Sequence, residues 1–93
     1  MAKVLFPKPA ERDVKRLPDA AREMLRSAHI QRLAENPRAG KPLHGPLRGY
    51  FSYEFWTEGV SYRMTYEIVT GDVVVLMIDT RDNYYKKVTK RIR

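Results

Sequence analysis

Within residues 51–78, Phe51-Ser52-Tyr53-Glu54-Phe55 is followed by Thr57-Glu58-Gly59, and Ser61-Tyr62-Arg63-Met64-Thr65-Tyr66-Glu67-Ile68 by Thr70-Gly71-Asp72. The stretch ends on Val73-Val74-Val75-Leu76-Met77-Ile78. Phe51, Tyr53 and Phe55 alternate with polar residues, as do Tyr62, Met64, Tyr66 and Ile68, which predicts two half-buried antiparallel strands. Val73 to Ile78 is apolar at every position, as expected of a strand covered on both faces. Gly59 and Gly71 mark the turns between them. This three-stranded meander decides the fold.

Working outward, Lys3 to Phe6 is a short β-prone run stopped by Pro7 and Pro9, and suits an edge strand. Ala10, Val14 and Leu17 fall at i, i+4 and i+7 behind Pro9, predicting an amphipathic helix. Pro18-Asp19 restarts the pattern, and Ala21, Met24, Leu25 and Ala28 form the stripe of a second helix running to about Glu35 before Asn36-Pro37. Ile30 lies off that stripe and is read as exposed or covered by a partner. Residues 36–49 hold three prolines and three glycines without apolar periodicity, and read as an ordered loop. After Asp79, residues 83–93 form a short basic helix whose inner face is either Tyr84, Val88 and Ile92 or Tyr85 and Val88. The expectation is one α+β domain over residues 1–93, in the order β-α-α-β-β-β-α. An antiparallel sheet carries the N-terminal helical hairpin on one face, with a short C-terminal helix following.

Composition bounds the function. Ninety-three residues suffice for one core. The absence of cysteine removes disulfides, thiolate metal sites and thiol nucleophiles, and suits a reducing compartment. No apolar run approaches a membrane span, and Met1 to Phe6 is too short for a signal-peptide apolar region, so the cytoplasm is the expected location. The formal charge is +7, and it is unevenly spread. Residues 50–80 hold Arg63 against five acids, whereas residues 81–93 hold six basic residues against Asp82 alone. Such a patch suits phosphates, an acidic protein partner, or simply solubility.

Alternation along the strands carries the chemical argument. If Tyr62, Met64 and Tyr66 face the helices, then Arg63, Thr65 and Glu67 face the other way, beside Tyr50, Ser52, Glu54 and Trp56 of the neighbouring strand. The chain leaving the last strand at Thr80-Arg81 can fold back to bring Arg81 and Tyr85 to the rim of this face. Two guanidiniums, a phenol and a carboxylate around one concavity can hold a phosphate and exchange a proton with a ribose hydroxyl. Plainer roles exist for each. Arg63 can pair across the strands with Glu54 or Glu67, Tyr85 can be a core aromatic, His44 a loop residue and His29 a packing residue. Two distant histidines without cysteine give no metal site, and no cofactor motif is present.

The whole chain resembles the RelE/ParE toxin family of toxin–antitoxin pairs. Val4-Leu5-Phe6 and Ala10 to Pro18 are similar to that family's opening strand and helix. Gly40-Lys41-Pro42-Leu43 through Leu47-Arg48-Gly49 is similar to its connection into the sheet. Ser61 to Ile68 matches its Tyr-Arg…Tyr strand, and Asp79 to Tyr85 its ending of Arg, polar residues and Tyr.

In the RelE branch the resemblance implies a ribosome-dependent mRNA endonuclease that promotes attack of the ribose 2′-hydroxyl on the adjacent phosphate. Arg63 and Arg81 would then stabilise the phosphorane and leaving group, Tyr85 would stack on a base or transfer a proton, and Glu54 is a candidate base. Lys41, His44, Arg48, Lys86, Lys87 and Lys90 would contact RNA. The implied partners are a cognate antitoxin, in a toxin–antitoxin hetero-oligomer, together with the ribosome and its message.

Three departures stand out. Ser52, Tyr53 and Glu54 occupy a strand where many relatives carry Lys or Arg, Thr80 stands where relatives often have His, and the Trp56–Ser61 segment reads as longer than the usual hairpin. The competing functions are a ParE-like gyrase inhibitor and a non-catalytic RNA- or antitoxin-binding relative.

Overall fold

The computed structural model describes residues 1–92; Arg93, counted above with the basic tail and the last helix, lies outside the described residues. Strand β1 (Val4–Leu5) leads to α1 (Lys8–Arg16), α2 (Asp19–Met24) and α3 (Ile30–Glu35). Strands β2 (Lys41–Pro42), β3 (Tyr50–Thr57), β4 (Val60–Val69) and β5 (Asp72–Thr80) follow, and α4 (Tyr84–Ile92) closes the chain. The sheet order is β1-β5-β4-β3-β2. The α+β class and the meander hold as read. Two details differ. β1 pairs parallel with β5, so the sheet is mixed. The loop supplies a short edge strand, β2, and a single 3₁₀ turn at Gly45–Leu47.

Prolines set the helix ends. Pro9 sits in the first turn of α1, and Leu17, preceding Pro18, takes an extended conformation at φ −67°, ψ 145° that ends it. α2 and α3 form one helical rod joined by a π-helical turn at Leu25–His29, in which the Ile30 N–H bonds the Leu25 carbonyl five residues back. The extra residue re-phases the stripe. Leu25 and Leu33 are buried and Ile30 packs against the core, whereas Met24 and Ala28, expected on the inner face, are exposed. Ile30 is therefore neither exposed nor left for a partner to cover, because the chain's own core packs against it.

Both hairpins turn in two residues. Glu58 and Gly59 have φ 50° and 77°, and Thr70 and Gly71 have φ 48° and 86°, the left-handed pairs that match strand twist. The Trp56–Ser61 segment is not a longer loop. Trp56 and Thr57 pair with Ser61 and Val60, so the strands themselves run further.

The sheet has two covered regions. On the inner face, Ala10, Leu17, Ala21, Leu25 and Leu33 of the helices meet Tyr53, Phe55, Tyr62, Met64, Tyr66, Val73, Val75 and Ile78. Each such large side chain contributes about 1.5–3 kcal/mol on burial. On the outer face a smaller cluster joins Met77 to Leu47 and to Tyr84 and Val88 of α4. This decides the inner face of α4: Tyr84 is 2% exposed and Tyr85 is 45% exposed. The Tyr84 hydroxyl accepts from Thr65 Oγ1 (3.0 Å) and donates to the Met77 carbonyl (3.1 Å), so that phenol is buried and satisfied.

Asp13 closes the edge that β1 leaves open. Beyond Leu5, β5 has no paired strand on that side among the described residues, and its Ile78 N–H donates to Asp13 Oδ2 at 3.1 Å. Arg91 of α4 reaches round to the same carboxylate (2.6 and 3.2 Å) and to the Leu76 carbonyl (3.2 Å). One ion pair thus ties α1, β5 and α4 together and blunts a strand edge.

Candidate functional site

Register brings Glu54 opposite Arg63, and Arg63 opposite Asp79. These three side chains form a row across the outer face, because strand residues alternate between faces. α4 covers only the neighbouring part of that face. It is aimed there by the turn after Thr80, where Asn83 takes φ 52°, a left-handed conformation that asparagine tolerates. The first turn of α4 then buries Tyr84 and leaves Tyr85 above the row.

The contacts are specific. Arg63 Nη1 donates to the Tyr85 hydroxyl at 3.0 Å, and the guanidinium carbon lies 5.7 Å from the Tyr85 ring centre. Because arginine only donates, the Tyr85 hydroxyl accepts here and keeps its own proton for another acceptor. Arg63 Nε lies 3.3 Å from Glu54 Oε2, close enough to pair as ions, yet Nε is buried with no hydrogen-bond partner among the described residues. The alignment is too poor for a hydrogen bond, so this is a contact of charges. Ser61 Oγ donates to the same Oε2 at 3.0 Å, which leaves the second Glu54 oxygen for another group.

Two grooves meet at Arg63 and Tyr85. The larger, about 540 Å³, straddles the edge of β3 beside β2, and Arg32, Lys41, Ser52, Tyr53 and Glu54 line it as well. The smaller, about 370 Å³, adds Arg81, Asn83 and Lys86. Five cations (Arg32, Lys41, Arg63, Arg81 and Lys86) and one carboxylate, Glu54, border the pair of grooves. The arrangement attracts an anion and supplies donors to hold it.

Residues 4–89 match the ParE-like toxin of type II bacterial toxin–antitoxin systems. The chain belongs to this toxin family. A chain of the toxin–antitoxin complex RelBE2 from Mycobacterium tuberculosis is 34% identical, covering 86% of this chain and 91% of that one, with a TM-score of 0.72. Fold likeness extends to the free Escherichia coli toxin RelE carrying two arginine-to-alanine changes, at 23% identity, full coverage of both chains and a TM-score of 0.74. It extends also to the intact Escherichia coli RelBE toxin–antitoxin complex, at 21% identity, 88% and 99% coverage and a TM-score of 0.70. No curated protein matches the chain.

Of the residues singled out in the toxin's sequence, Arg63, Arg81, Tyr85, Glu54, Lys41 and Lys86 line the two grooves. The others stand apart. Exposed His44 and Arg48 flank the 3₁₀ turn and line neither groove, Lys90 is exposed further along α4, and Lys87 is paired with Asp79 at 3.0 Å. Thr80 pairs with Tyr62 on β4 and takes no place in either groove.

Arg32 and the role of Gly40 escaped the sequence reading, and His29, read as a packing residue, does pack but also reaches the groove's wall. Arg32 enters the larger groove from α3 beside Tyr53. His29 is hydrogen-bonded through Nδ1 to the Tyr53 hydroxyl at 2.6 Å and stacks on Phe55. Burial, and then the Arg32 charge, lower its pKa below the ordinary 6.5, so the neutral ring is favoured beneath the groove. Gly40 permits the close approach of β2: a Cβ there would meet the Ser52 carbonyl and the Tyr66 hydroxyl at 2.8 Å. That approach sets Lys41 across from Ser52. None of these depends on a pattern visible within one element, except that Gly40 precedes a Lys-Pro pair.

Proposed function

We propose that this toxin is a ribosome-dependent mRNA endonuclease that blocks translation. The observation that carries the reading is the contact of Arg63 with both Tyr85 (3.0 Å) and Glu54 (3.3 Å) in an open, basic groove. A guanidinium fixed between a phenol and a carboxylate suits transesterification at phosphorus. The ribose 2′-hydroxyl gives its proton to Glu54 while its oxygen bonds to the adjacent phosphorus. The bond from phosphorus to the 5′-oxygen breaks, and that oxygen takes a proton from Tyr85. The products are a 2′,3′-cyclic phosphate and a 5′-hydroxyl end, and atoms and charge balance without metal or cofactor.

Arg63 and Arg81 supply the positive charge that the phosphorane needs, usually the largest single contribution in such sites. Glu54 lines the groove while His44 and Arg48 do not, which supports Glu54 as the base and gives Lys41 and Arg32 a phosphate-holding role. The ribosome and its message are the working partners, in the cytoplasm. The RelBE2 complex supports a cognate antitoxin bound to the chain in a hetero-oligomer, shielding this basic surface.

The matched family is described as ParE-like, which favours gyrase inhibition as a second reading, and one experiment decides between them. Purified toxin is added to a translating extract, and the message is mapped by primer extension beside a gyrase–DNA complex assay. Codon-positioned cuts, lost in Arg81→Ala and Tyr85→Phe, are expected; intact message with stalled gyrase–DNA complexes would establish the alternative.

A further inference from the structure

Trp56 is the only tryptophan in the chain, and it is 58% exposed. Packing does not explain it. Tyr53 and Phe55, pointing the other way, fill the core under this end of β3. By register Trp56 shares the outer face with Glu54, Ser61 and Arg63, while exposed Val60 pairs with Thr57 and belongs to the opposite face. Trp56 is thus a lone indole among polar neighbours. A partner protein's apolar face would find little else to bury there, whereas a flat π-system needs only the ring.

Its position relative to the charges is also specific. Trp56 lines neither groove but stands one alternate position beyond Glu54, about 7 Å along the strand. That distance is comparable with one nucleotide step of an extended single strand. Ser61, its cross-strand partner, is the residue that holds the Glu54 carboxylate. A phosphate held at Arg63 and Arg81 would therefore leave a neighbouring base within reach of the indole.

We propose that Trp56 is a stacking platform for a nucleobase flanking the bound phosphate, so that single-stranded RNA lies across the outer face from Tyr85 past Arg63 to Trp56. This rests on the RNA reading of the groove and extends it by one subsite. Stacking on an exposed aromatic is sequence-tolerant, since every base has a π-face. Trp56 therefore contributes affinity and sets which nucleotide sits at Arg63.

The single tryptophan makes the test direct. A 2′-O-methyl RNA hexamer, which cannot be cut by 2′-hydroxyl attack, is titrated into the full chain. Intrinsic fluorescence and the anisotropy of an end label on the RNA are read together. Saturable quenching is expected at the same midpoint as the anisotropy change, and an abasic nucleotide at one position of the hexamer should abolish the quenching. Trp56→Ala should bind roughly tenfold more weakly and Trp56→Phe within about twofold of wild type. Circular dichroism checks that both variants are folded. Binding that needs Arg63 but neither quenches Trp56 nor weakens in Trp56→Ala would overturn the stacking subsite and leave the RNA groove standing. No anisotropy change with wild type would overturn the subsite, while the RNA reading of the groove is decided separately by the primer-extension map in a translating extract.

Discussion

The two faces of β3 and β4 are built from alternate residues of the same strands, and they have opposite fates. Phe55, Tyr62, Met64 and Tyr66 are sealed beneath the helices. Glu54, Arg63 and Trp56, interleaved with them, are left on a face that α4 covers only in part. The difference lies in what is laid on top. α1 to α3 span the inner face, whereas among the described residues α4 buries just Tyr84 and Val88 against the outer one before Arg91 turns to Asp13. The first arrangement produces stability and the second leaves room for a ligand. Partial cover sets Tyr85 over Arg63 without closing the groove.

Substitutions on either face should separate the two roles. Leu33→Ala, on the inner side, should lower stability by about 2–5 kcal/mol in chemical denaturation and leave cleavage per folded molecule unchanged. Arg63→Ala, on the outer side, should do the reverse, reducing the rate of message cleavage about 10²- to 10³-fold while shifting the denaturation midpoint little. Equal effects on stability would break the comparison.

Asp13→Ala removes the tie between the faces. It strips Arg91 of its partner and leaves the Ile78 N–H buried without an acceptor, so a loss of about 3 kcal/mol is expected. Hydrogen exchange should rise at the β5 edge and in α4 before it rises in β4. Gly40→Ala should cost about 1–3 kcal/mol, because the Ser52 carbonyl and the Tyr66 hydroxyl must give way, and it should weaken RNA binding through Lys41.

The smallest effect should be that of pH. Burial lowers the His29 pKa in the folded chain below 6.5, so the unfolded chain binds the proton more readily. That contribution to stability is present above pH 6.5 and is lost as pH falls through the folded value. Melting temperature should therefore decline on acidification below about pH 6.5, and His29→Gln should flatten this decline; an unchanged slope would remove His29 from the account.

Much of this was legible in the sequence, for reasons that differ by element. Period-two alternation placed Glu54 and Arg63 on one face and Met64 on the other but left both Glu54 and Glu67 open as partners of Arg63, and the tight turn at Glu58-Gly59 sets the register that selects Glu54. Tyr84 and Tyr85 were not separable, because Tyr84 to Val88 and Tyr85 to Val88 are both helical spacings in a short segment. The π-helical turn carries no residue signature, so the re-phasing that buries Ile30 and exposes Ala28 could not be read from an ideal period. A two-residue strand containing Pro42 falls below any periodic signal. Asp13 did leave a trace: it sits within the apolar stripe of Ala10, Val14 and Leu17, where a buried carboxylate needs a partner. Arg32 left none, since its place in the groove is set by how α3 lies against β3.

The central claim is that the outer face cuts RNA by attack of a 2′-hydroxyl held beside Arg63, Glu54 and Tyr85. A message carrying one 2′-deoxy nucleotide immediately 5′ of a mapped cut tests it most directly, in a translating extract with wild-type toxin. Cleavage should vanish at that phosphate alone, while the unmodified message yields a 2′,3′-cyclic phosphate and a 5′-hydroxyl end. Continued cutting at the modified position, with a 5′-phosphate product, would contradict the account.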